Sequence, residues 1–298
     1  MNDPIPFDFA RINEPLAPLT LYGVGGPARV ALFPRTLDEA RAAYAWLAEQ
    51  PGRKLILGGG SNVLISDAGY DGAVLVTTEL ARITDLGDDR FAVESGVPLN
   101  RLVRDVMLPH NYDGVGGLTG IPGSVGGAIY MNAGTVNGST CQLLESVVVA
   151  RPDGVADVPM TPDLYGYRSQ TFCPPGSLIL EGRFRFTPAD TDQRAIYDHY
   201  IRRRIEKQPQ GRCCGSVFRN PEGDHAGRLI EACGLKGARL GGAVISPMHA
   251  NFIMNEGDAA FADILGLIER CKTEVRARFG IELREEVVII RDDHPDST

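Results

Sequence analysis

Three side chains that could take part in chemistry lie within four residues of each other in the stretch RCCGSVFRNP, residues 212–221. Cys213 and Cys214 are adjacent, and Ser216 follows them after one glycine. An ionised thiol is a nucleophile or a redox centre, whereas a serine hydroxyl can transfer a proton or cap the turn before a helix. Adjacent cysteines rarely form a disulfide with each other without strain. The residue types alone leave all three side chains as candidates.

Two glycine-rich stretches could hold an anionic cofactor. The first, GGGSN at residues 58–62, directly follows the apolar run Lys54–Leu57, which we predict to be a buried strand. Successive backbone amides in such a turn can surround an anion, and the side chains of Ser61 and Asn62 add donors. The alternative is a tight turn between two strands, for which one or two glycines would be enough.

The second glycine-rich stretch covers residues 113–134 and holds eight glycines in 22 positions, far above the average of about 7%. Apolar residues such as Leu118, Val125 and Ile129 punctuate it and need burial. We therefore predict a packed loop whose backbone closely approaches a ligand, because glycine has no side chain to keep the ligand away. Two such stretches in one chain favour a cofactor with a pyrophosphate and a large ring system.

Composition and motifs argue against several classes of protein. The formal net charge of −8 disfavours a nucleic-acid partner and an anionic membrane surface. No apolar run approaches the ~20 residues of a membrane-spanning helix, and the N-terminus lacks the basic and apolar segments of a signal peptide. No G-x-x-x-x-G-K-[ST] motif occurs, and GVGGP at residues 23–27 lacks the spacing of a dinucleotide fingerprint. The six cysteines form no C-x-x-C pair, so we predict no metal site and a reducing, cytoplasmic location.

The apolar periodicity predicts helices and strands that do not alternate strictly, which is typical of an α+β fold. Thr36 and Glu39 form a capping-box pattern at the start of a predicted helix over residues 36–48. Strands on either side of this helix complete a β-α-β unit. Further predicted helices cover residues 190–207, 224–233 and 258–279, and a last strand covers Val287–Arg291.

Changes of character along the chain divide it into three predicted domains. The β-α-β unit belongs to residues 1–80. Residues 81–190 combine short β-like runs with the second glycine-rich stretch, and residues 191–298 hold the remaining predicted helices.

Six motifs of this chain resemble, in the same order, those of the UDP-N-acetylenolpyruvoylglucosamine reductases. They are LGGGSNVL (57–64), TGIPGSVGGAIYMNAG (119–134), GYR (166–168), CGSVFRNP (214–221), LKGARLGGAVIS (235–246) and HANFIMN (249–255). Six separate motifs in one order make chance similarity negligible. The resemblance implies the flavin-binding fold of the vanillyl-alcohol oxidase (PCMH) type. Two FAD-binding subdomains, here 1–80 and 81–190, would precede a substrate-binding α+β domain, here 191–298.

The resemblance also implies that FAD binds to the two glycine-rich stretches. Backbone amides would contact its pyrophosphate, and apolar side chains would line the flavin, in agreement with the ligand-binding role inferred from the glycines. The implied cofactor-binding residues are Gly58, Gly59, Gly60, Ser61, Asn62, Val63, Leu64, Thr119, Gly120, Pro122, Gly123, Ser124, Gly126, Gly127, Ala128, Asn132 and Gly134.

The implied reaction is the NADPH-dependent, FAD-mediated reduction of UDP-N-acetylglucosamine enolpyruvate to UDP-N-acetylmuramate, in peptidoglycan precursor synthesis. NADPH reduces the flavin, and flavin N5 delivers hydride to the methylene carbon of the enolpyruvyl group. Arg168 and Glu286 are the implied residues that stabilise the resulting enolate, and Ser216 is the implied proton donor to the adjacent carbon. A guanidinium suits its task because it holds a carboxylate by two parallel hydrogen bonds and keeps its charge. The alternative for Arg168 is a surface salt bridge.

Alternation along the predicted last strand favours Glu286 over its neighbour as the catalytic carboxyl. Successive side chains of a strand point to opposite faces, so Arg284 and Glu286 would share one face and Glu285 would lie in solvent. Three positions depart from the family pattern. Arg284 stands where the family has a glutamate, Gln170 where it has a serine, and Gly23 where an arginine is common.

The resemblance implies substrate contacts for Tyr167, Arg204, Lys207 and Asn220. Arg204 and Lys207 belong to a basic cluster on a predicted helix and would bind the diphosphate, although a charge run on a helix is commonly a solvated face. The catalytic arginine and serine motifs are 48 positions apart, which matches the shorter type of the family, without a tyrosine-bearing loop insertion.

The sequence thus predicts a cytoplasmic, monomeric flavoenzyme that acts on a small nucleotide sugar. Two other hypotheses stay open: another FAD-dependent oxidase of the same fold, which would use oxygen, and a non-catalytic flavin-binding relative. No histidine lies in either glycine-rich stretch, which argues against the covalently linked flavin of an oxidase. Retention of all three implied catalytic residues argues against the non-catalytic relative.

Overall fold

A computed structural model describes residues 5–292 of the chain. Residues 1–4 and 293–298 lie outside the described residues. These residues include the outer ends of the first and third predicted domains. They also include the first residues of the N-terminal segment, for which we predict no signal peptide. Among residues 5–292, every helix is too short or too polar to cross a membrane.

The first sheet holds the predicted β-α-β unit. Its order is β1-β2-β5-β3, in which β2, β5 and β3 run parallel and β1 is antiparallel to β2. The elements are β1 (Ala10–Pro15), β2 (Pro27–Leu32), α1 (Leu37–Glu49), β3 (Arg53–Leu57), β4 (Val63–Ile65) and β5 (Tyr70–Val76). Helix α1 starts as predicted, because the Thr36 hydroxyl accepts a hydrogen bond from the Glu39 amide at 3.2 Å. The strand β1 was not predicted, since its side chains are mostly exposed and carry no apolar alternation.

The second sheet is antiparallel and has the order β11-β10-β14-β7-β6. Its strands are β6 (Ile83–Gly87), β7 (Arg90–Glu94), β10 (Leu144–Arg151), β11 (Gly154–Pro159) and β14 (Leu178–Arg185). A short hairpin leaves this sheet between β11 and β14, with β12 (Tyr165–Gly166) paired to β13 (Ser169–Gln170).

The second glycine-rich stretch lies between β7 and β10 and is packed, as predicted. Leu118, Val125 and Ile129 are at most 1% exposed. The stretch also contains two short helices that were not predicted, because glycine is a poor helix former and hides the periodicity. The elements of this connection are α2 (Leu99–Leu102), a π-helical turn (Val103–Met107), α3 (Val115–Leu118), α4 (Val125–Tyr130), β8 (Gly134–Thr135) and β9 (Gly138–Ser139).

The C-terminal region consists of helices around a small antiparallel sheet, β15-β16-β17. Its predicted helices are confirmed with shorter bounds. The elements are α5 (Gln193–Lys207), α6 (Ala226–Ala232), β15 (Arg239–Leu240), β16 (Ala243–Ile245), β17 (Ile253–Asn255), α7 (Phe261–Phe279) and β18 (Val288–Ile290). Helix α7 ends at Gly280, whose φ of 69° lies in the left-handed region that glycine favours.

Two contacts join the C-terminal region to the N-terminal region that contains the first sheet. Strand β18 pairs in parallel with β4, directly after the first glycine-rich stretch. In addition, Tyr22, Val24 and Leu64 share one buried cluster with residues of α6 and α7. The ends of the described chain are therefore held together by both hydrogen bonds and apolar packing.

We expect the Phe184→Ala substitution to lower the free energy of unfolding by ~3–5 kcal/mol, because the ring is fully buried in the central strand β14. As a control, Val155→Ala changes a side chain that is 51% exposed on the edge strand β11, so its effect should stay within about 0.5 kcal/mol. Urea denaturation followed by circular dichroism measures both values. Similar losses in the two variants would contradict this assignment of the core.

Candidate active site

Arg168 and Glu286 lie 118 positions apart in the sequence and form an ion pair in the fold. The distance between Arg168 Nε and Glu286 Oε1 is 2.7 Å, and the side chains are only 20% and 15% exposed. Arg168 is at the tip of the β12–β13 hairpin with a φ of 52°, a left-handed conformation that is uncommon for a non-glycine residue. A backbone strained in this way is often found at functional sites, where neighbouring contacts hold it.

The guanidinium of Arg168 is also bonded to backbone oxygens after α4. Nη2 donates to the carbonyl of Gly134 at 2.9 Å, and Nη1 makes a long contact of 3.5 Å with the carbonyl of Asn132. The Tyr167 ring lies 5.2 Å from the guanidinium carbon, which is cation–π distance. The side chain therefore has a defined direction as well as a charge.

Ser216 is close in the backbone to Glu286. The Glu286 amide donates to the carbonyl of Val217 at 2.7 Å, and Ser216 directly precedes Val217. Ser216 is half-buried and follows Gly215, which has a φ of 74°. The turn before α6 is capped by a different residue, because Asn220 Oδ1 accepts from the Ala226 amide at 3.2 Å. The capping alternative for Ser216 is thus not supported.

The two glycine-rich stretches meet at their backbones. The amide of Gly59 donates to Ser124 Oγ at 3.2 Å. A Cβ placed on Gly59 would be only 3.0 Å from both Gly123 Cα and Ser124 N, so a larger residue at this position would push the stretches apart. Both predicted FAD-binding stretches therefore form one continuous surface.

The first stretch has the donors that a pyrophosphate requires. Within the described part of the chain, the amides of Gly60, Ser61 and Asn62 donate to no protein acceptor. Gly60 has a φ of 59°, and three successive amides around such a residue form a concavity that binds anions. The buried Ser95 hydroxyl, next to Gly126 of the second stretch, also lacks a partner among residues 5–292. These groups fit a cofactor with a pyrophosphate.

Asn62 connects the first stretch to the Arg168–Glu286 pair. Its side-chain nitrogen donates to the Glu286 carbonyl at 2.9 Å, and its own carbonyl accepts from the Val288 amide at 2.9 Å. We predicted from the sequence that this side chain would be a donor to the cofactor. In the fold its nitrogen is bonded to the backbone at Glu286 instead, while its backbone amide stays available.

The other predicted cofactor residues divide into accessible and buried positions. Gly120, Pro122 and Gly127 are exposed, whereas Gly58, Gly59 and Gly123 are half-exposed. The buried members can approach a cofactor mainly through their backbone, and the Thr119 hydroxyl donates within the protein, to the Val115 carbonyl. They are Gly60, Leu64, Thr119, Ser124, Gly126, Ala128, Asn132 and Gly134.

The predicted substrate residues lie at different levels of exposure. Tyr167 is 61% exposed, and Lys207 and Asn220 are also exposed. Arg204 is partly buried against the second glycine-rich stretch, where its Nε donates to the Thr119 carbonyl at 2.8 Å and Nη1 donates to Gln208 Oε1 at 2.9 Å. Burial lowers the pKa of Arg204 from its ordinary value. Arg204 thus supports the stretch that we assign to FAD.

The predicted position of Glu285 in solvent is wrong. Its carboxylate accepts a hydrogen bond from Lys272 Nζ of α7 at 2.8 Å, and the side chain is 27% exposed. Alternation does not apply there, because the strand β18 begins only at Val288 and residues 286–287 form a bend. The Lys272 contact holds the backbone just before Glu286, and sequence pattern gave no signal for it.

Two departures from the family pattern find local explanations. Gln170 Nε2 and Oε1 bond the carbonyl and amide of Cys173 at 2.8 and 2.7 Å, so Gln170 closes a turn rather than contacting Arg168. At Gly23, where the family often has an arginine, the Arg212 side chain lies over the backbone. Its Cδ is 3.3 Å from the place of a Cβ on Gly23. Sequence reasoning missed Arg212, although the absent arginine was a signal to look for another cation.

The cysteines beside Ser216 are poor candidates for chemistry. Cys214 is 5% exposed, and burial raises its pKa to about 12. Its Sγ donates to the Val63 carbonyl at 3.4 Å, which makes it a packing residue. Burial also raises the pKa of the half-buried Cys213. All six cysteines are free thiols, and residues 5–292 contain no cluster of side chains that could hold a metal ion.

Comparisons with known proteins match the segments that hold the two glycine-rich stretches and the segments that hold Ser216 and Glu286. The FAD binding domain family matches residues 28–156, and the UDP-N-acetylenolpyruvoylglucosamine reductase, C-terminal domain family matches residues 207–290. The UDP-N-acetylenolpyruvoylglucosamine reductase of Myxococcus xanthus is 39% identical over 95% of this chain and 92% of its own length. That of Chloroflexus aggregans is 39% identical over 94% of this chain and 97% of its own length. The crystal structure of the Thermus caldophilus reductase has a TM-score of 0.77 and 34% identity, and the match covers 94% of this chain and 98% of that one.

We expect iodoacetamide to label the native protein slowly at Cys213 and Cys233, which are half-buried, and not at the four buried cysteines. The thiolate is the reactive form, and burial raises the pKa of both accessible thiols, so labelling should accelerate as the pH rises above 7. Peptide mass spectrometry measures the modification at each site, and the denatured chain provides the control, in which all six react. Rapid labelling of Cys214 at pH 7 would contradict its packing role.

Proposed function

The chain belongs to the UDP-N-acetylenolpyruvoylglucosamine reductase family, and we propose that it reduces UDP-N-acetylglucosamine enolpyruvate to UDP-N-acetylmuramate. It is a FAD-dependent oxidoreductase with the α+β flavin-binding fold of the vanillyl-alcohol oxidase type. The observation that carries the proposal is the 2.7 Å pair of Arg168 and Glu286, next to Ser216 and tied to the first glycine-rich stretch through Asn62.

The residues that would hold FAD are those of the two glycine-rich stretches. The free amides of Gly60, Ser61 and Asn62 are suited to the pyrophosphate, and the exposed backbone at Gly120 and Gly127 is suited to close approach of the flavin. The chemistry that bound FAD supplies is hydride transfer from NADPH to the methylene carbon of the enolpyruvyl group.

Arg168 and Glu286 act on the carboxylate of the substrate. Addition of hydride to the methylene carbon moves negative charge onto the neighbouring carbon and the carboxylate. Arg168 stabilises this charge because its position is set before the reaction by the Gly134 carbonyl and by Glu286. Glu286 accepts the hydrogen bond from Arg168 Nε at 2.7 Å and contributes by holding the guanidinium toward the same carboxylate.

Ser216 supplies the proton that completes the reduction. Its Oγ–H donates to the carbon next to the carboxylate, which is a strong base in the enolate form. The serine is then reprotonated from water. Its half-buried position beside the Glu286 backbone supports this role.

The diphosphate of the substrate is bound at the C-terminal end of α5. Lys207 is exposed there, and the exposed Arg202 and Arg203 add positive charge. Arg204 adds its charge at the same end, where its Nε is bonded to the Thr119 carbonyl. Tyr167 contacts the sugar nucleotide from the hairpin, and Asn220 contacts it from the segment before α6.

The proposed roles of the domains and of the enzyme in the cell rest on the same family membership. Residues 1–80 and 81–190 form the FAD-binding subdomains, and residues 191–298 form the substrate-binding domain. The enzyme works as a cytoplasmic monomer in peptidoglycan precursor synthesis, with NADPH as its reductant and no nucleic-acid or membrane partner.

A half-reaction assay tests the proposed function. The purified protein should be yellow, NADPH should bleach its flavin absorbance under anaerobic conditions, and the enolpyruvyl nucleotide should restore it. If the reduced protein does not respond to that nucleotide, the proposal is wrong. Rapid reoxidation by oxygen without the nucleotide would indicate an oxidase instead.

We expect Ser216→Ala to retain flavin reduction by NADPH and to lose ~10²–10⁴-fold in the rate of reoxidation by the enolpyruvyl nucleotide, because only the second half-reaction needs the proton donor. Stopped-flow absorbance measures both rates. Ser177→Ala removes a buried hydroxyl elsewhere and should leave both rates unchanged. Equal loss of the two half-reactions in Ser216→Ala would point to a structural role.

We expect Arg168→Lys to retain flavin reduction and to slow reoxidation by ~10²–10³-fold. Lysine keeps the charge but cannot hold a carboxylate by two parallel hydrogen bonds or reproduce the contacts to Glu286 and Gly134. The same stopped-flow experiment measures the effect. A reoxidation rate near that of the unaltered protein would show that charge alone is sufficient.

A further inference from the structure

We infer that Asn132 is the positioning residue for Arg168, and that its side chain holds the hairpin whose guanidinium faces the substrate carboxylate. The inference rests on the proposed function and assigns to Asn132 a task different from cofactor contact. It follows from where the two polar atoms of the amide are bonded.

Both polar atoms of the Asn132 side chain are bonded within the protein. Nδ2 donates to the Gly166 carbonyl at 2.8 Å, and Oδ1 accepts from the Cys141 amide at 3.1 Å. The residue is 4% exposed, so these bonds are not in competition with water. One amide thus connects three segments: the end of the second glycine-rich stretch, the turn at Cys141 and the β12–β13 hairpin.

The Gly166 bond bears directly on Arg168. Gly166 is two residues before Arg168 in the hairpin, which consists of only two short strands. A hairpin of this size is not stable alone and needs tertiary contacts. The left-handed φ of 52° at Arg168 also requires support from outside the hairpin. Asn132 provides a hydrogen bond at the base of this tip.

The backbone carbonyl of Asn132 contacts the guanidinium of Arg168 directly. The carbonyls of Asn132 and Gly134, which we call the carbonyl shelf, accept from the two terminal nitrogens of Arg168 at 3.5 and 2.9 Å. Asn132 itself has a φ of 40°, which asparagine adopts more readily than most residues. The residue therefore fixes the hairpin at Gly166 and directs the shelf toward the guanidinium.

Few other residues could replace this asparagine. The site requires one donor and one acceptor on a short side chain, and a backbone in the left-handed region. Aspartate keeps the shape but lacks the donor to Gly166, and alanine lacks both atoms. Gln170 does not compensate, because its amide is bonded to Cys173.

Asn132→Asp and Asn132→Ala test the inference against the control Thr140→Val. The Thr140 hydroxyl donates to the Ala133 carbonyl at 2.8 Å, and its hydrogen bond within residues 5–292 goes to neither the hairpin nor Arg168. We expect both Asn132 variants to bind FAD with an unaltered flavin spectrum and to be reduced normally by NADPH. Reoxidation by the enolpyruvyl nucleotide should fall by about 10–100-fold, because a misplaced group costs up to ~10²-fold in rate. The control should retain both rates.

Ligand binding provides a readout that is independent of turnover. UDP-N-acetylmuramate carries a carboxylate and UDP-N-acetylglucosamine does not, so the ratio of their dissociation constants, measured by calorimetry, reports on Arg168. We expect the unaltered protein and Thr140→Val to prefer the carboxylate ligand. The Asn132 variants should lose at least about 5-fold of this preference, without a change in affinity for UDP-N-acetylglucosamine.

The outcomes separate this inference from the proposed function. If Asn132→Asp keeps both the preference and the reoxidation rate, or if Thr140→Val loses them equally, Asn132 is not a positioning residue. If the unaltered protein prefers the carboxylate ligand but does not turn over the enolpyruvyl nucleotide, the proposed function fails, and the binding ratio still decides the role of Asn132. Absence of any preference in the unaltered protein would overturn the inference about Arg168 and Asn132, whereas the half-reaction assay alone decides the proposed function.

Discussion

The parallel pairing of β4 with β18 is the constraint on which the rest of the site depends. It joins the strand after the first glycine-rich stretch to the last strand of the described chain. The Asn62 side chain extends the connection to Glu286, 224 positions away in the sequence. Without this pairing, the donors for a pyrophosphate and the carboxyl that faces Arg168 would belong to separate parts of the molecule. Because β4 and β18 are short, the apolar cluster around Leu64 must add the stability that a two-stranded sheet lacks.

Arg168, the other member of the ion pair, is held by a short hairpin rather than by a parallel strand pair. Arg168 comes from the hairpin in the connection between β11 and β14, and short elements after α4 provide its backbone acceptors. The ion pair therefore joins two distant segments of the chain, and each segment is held mainly by hydrogen bonds to backbone atoms. Such an arrangement sets direction as well as distance, which a charged group needs if it is to stabilise a developing negative charge.

Local sequence patterns were sufficient to predict much of the fold and part of the candidate site. Helices α1, α5 and α7 could be predicted because each has an apolar face or a clear start and end, and the packed glycine stretch followed from its apolar residues. The strand β1 and the short helices of that stretch could not, because exposed side chains and glycines carry no periodicity. The motifs named Arg168, Ser216 and Glu286 as candidates, but their proximity depends on pairings between distant segments. The placement of Glu285 failed for a local reason, because residues 286–287 bend before β18 begins and strand alternation does not extend to Glu285.

Two of the three departures from the family pattern, Gly23 and Gln170, have a common physical explanation. A motif records which residue usually performs a task, whereas the fold requires only that some group performs it from an adjacent position. At Gly23 the Arg212 side chain lies over the backbone. A positive charge is therefore present near this position, although it comes from another segment of the chain. At Gln170 the side chain closes its own turn, and the contacts of Arg168 come from Glu286 and from the backbone after α4. Substitutions in a motif are therefore best judged by the neighbours in space, because those neighbours determine whether the lost interaction has been replaced.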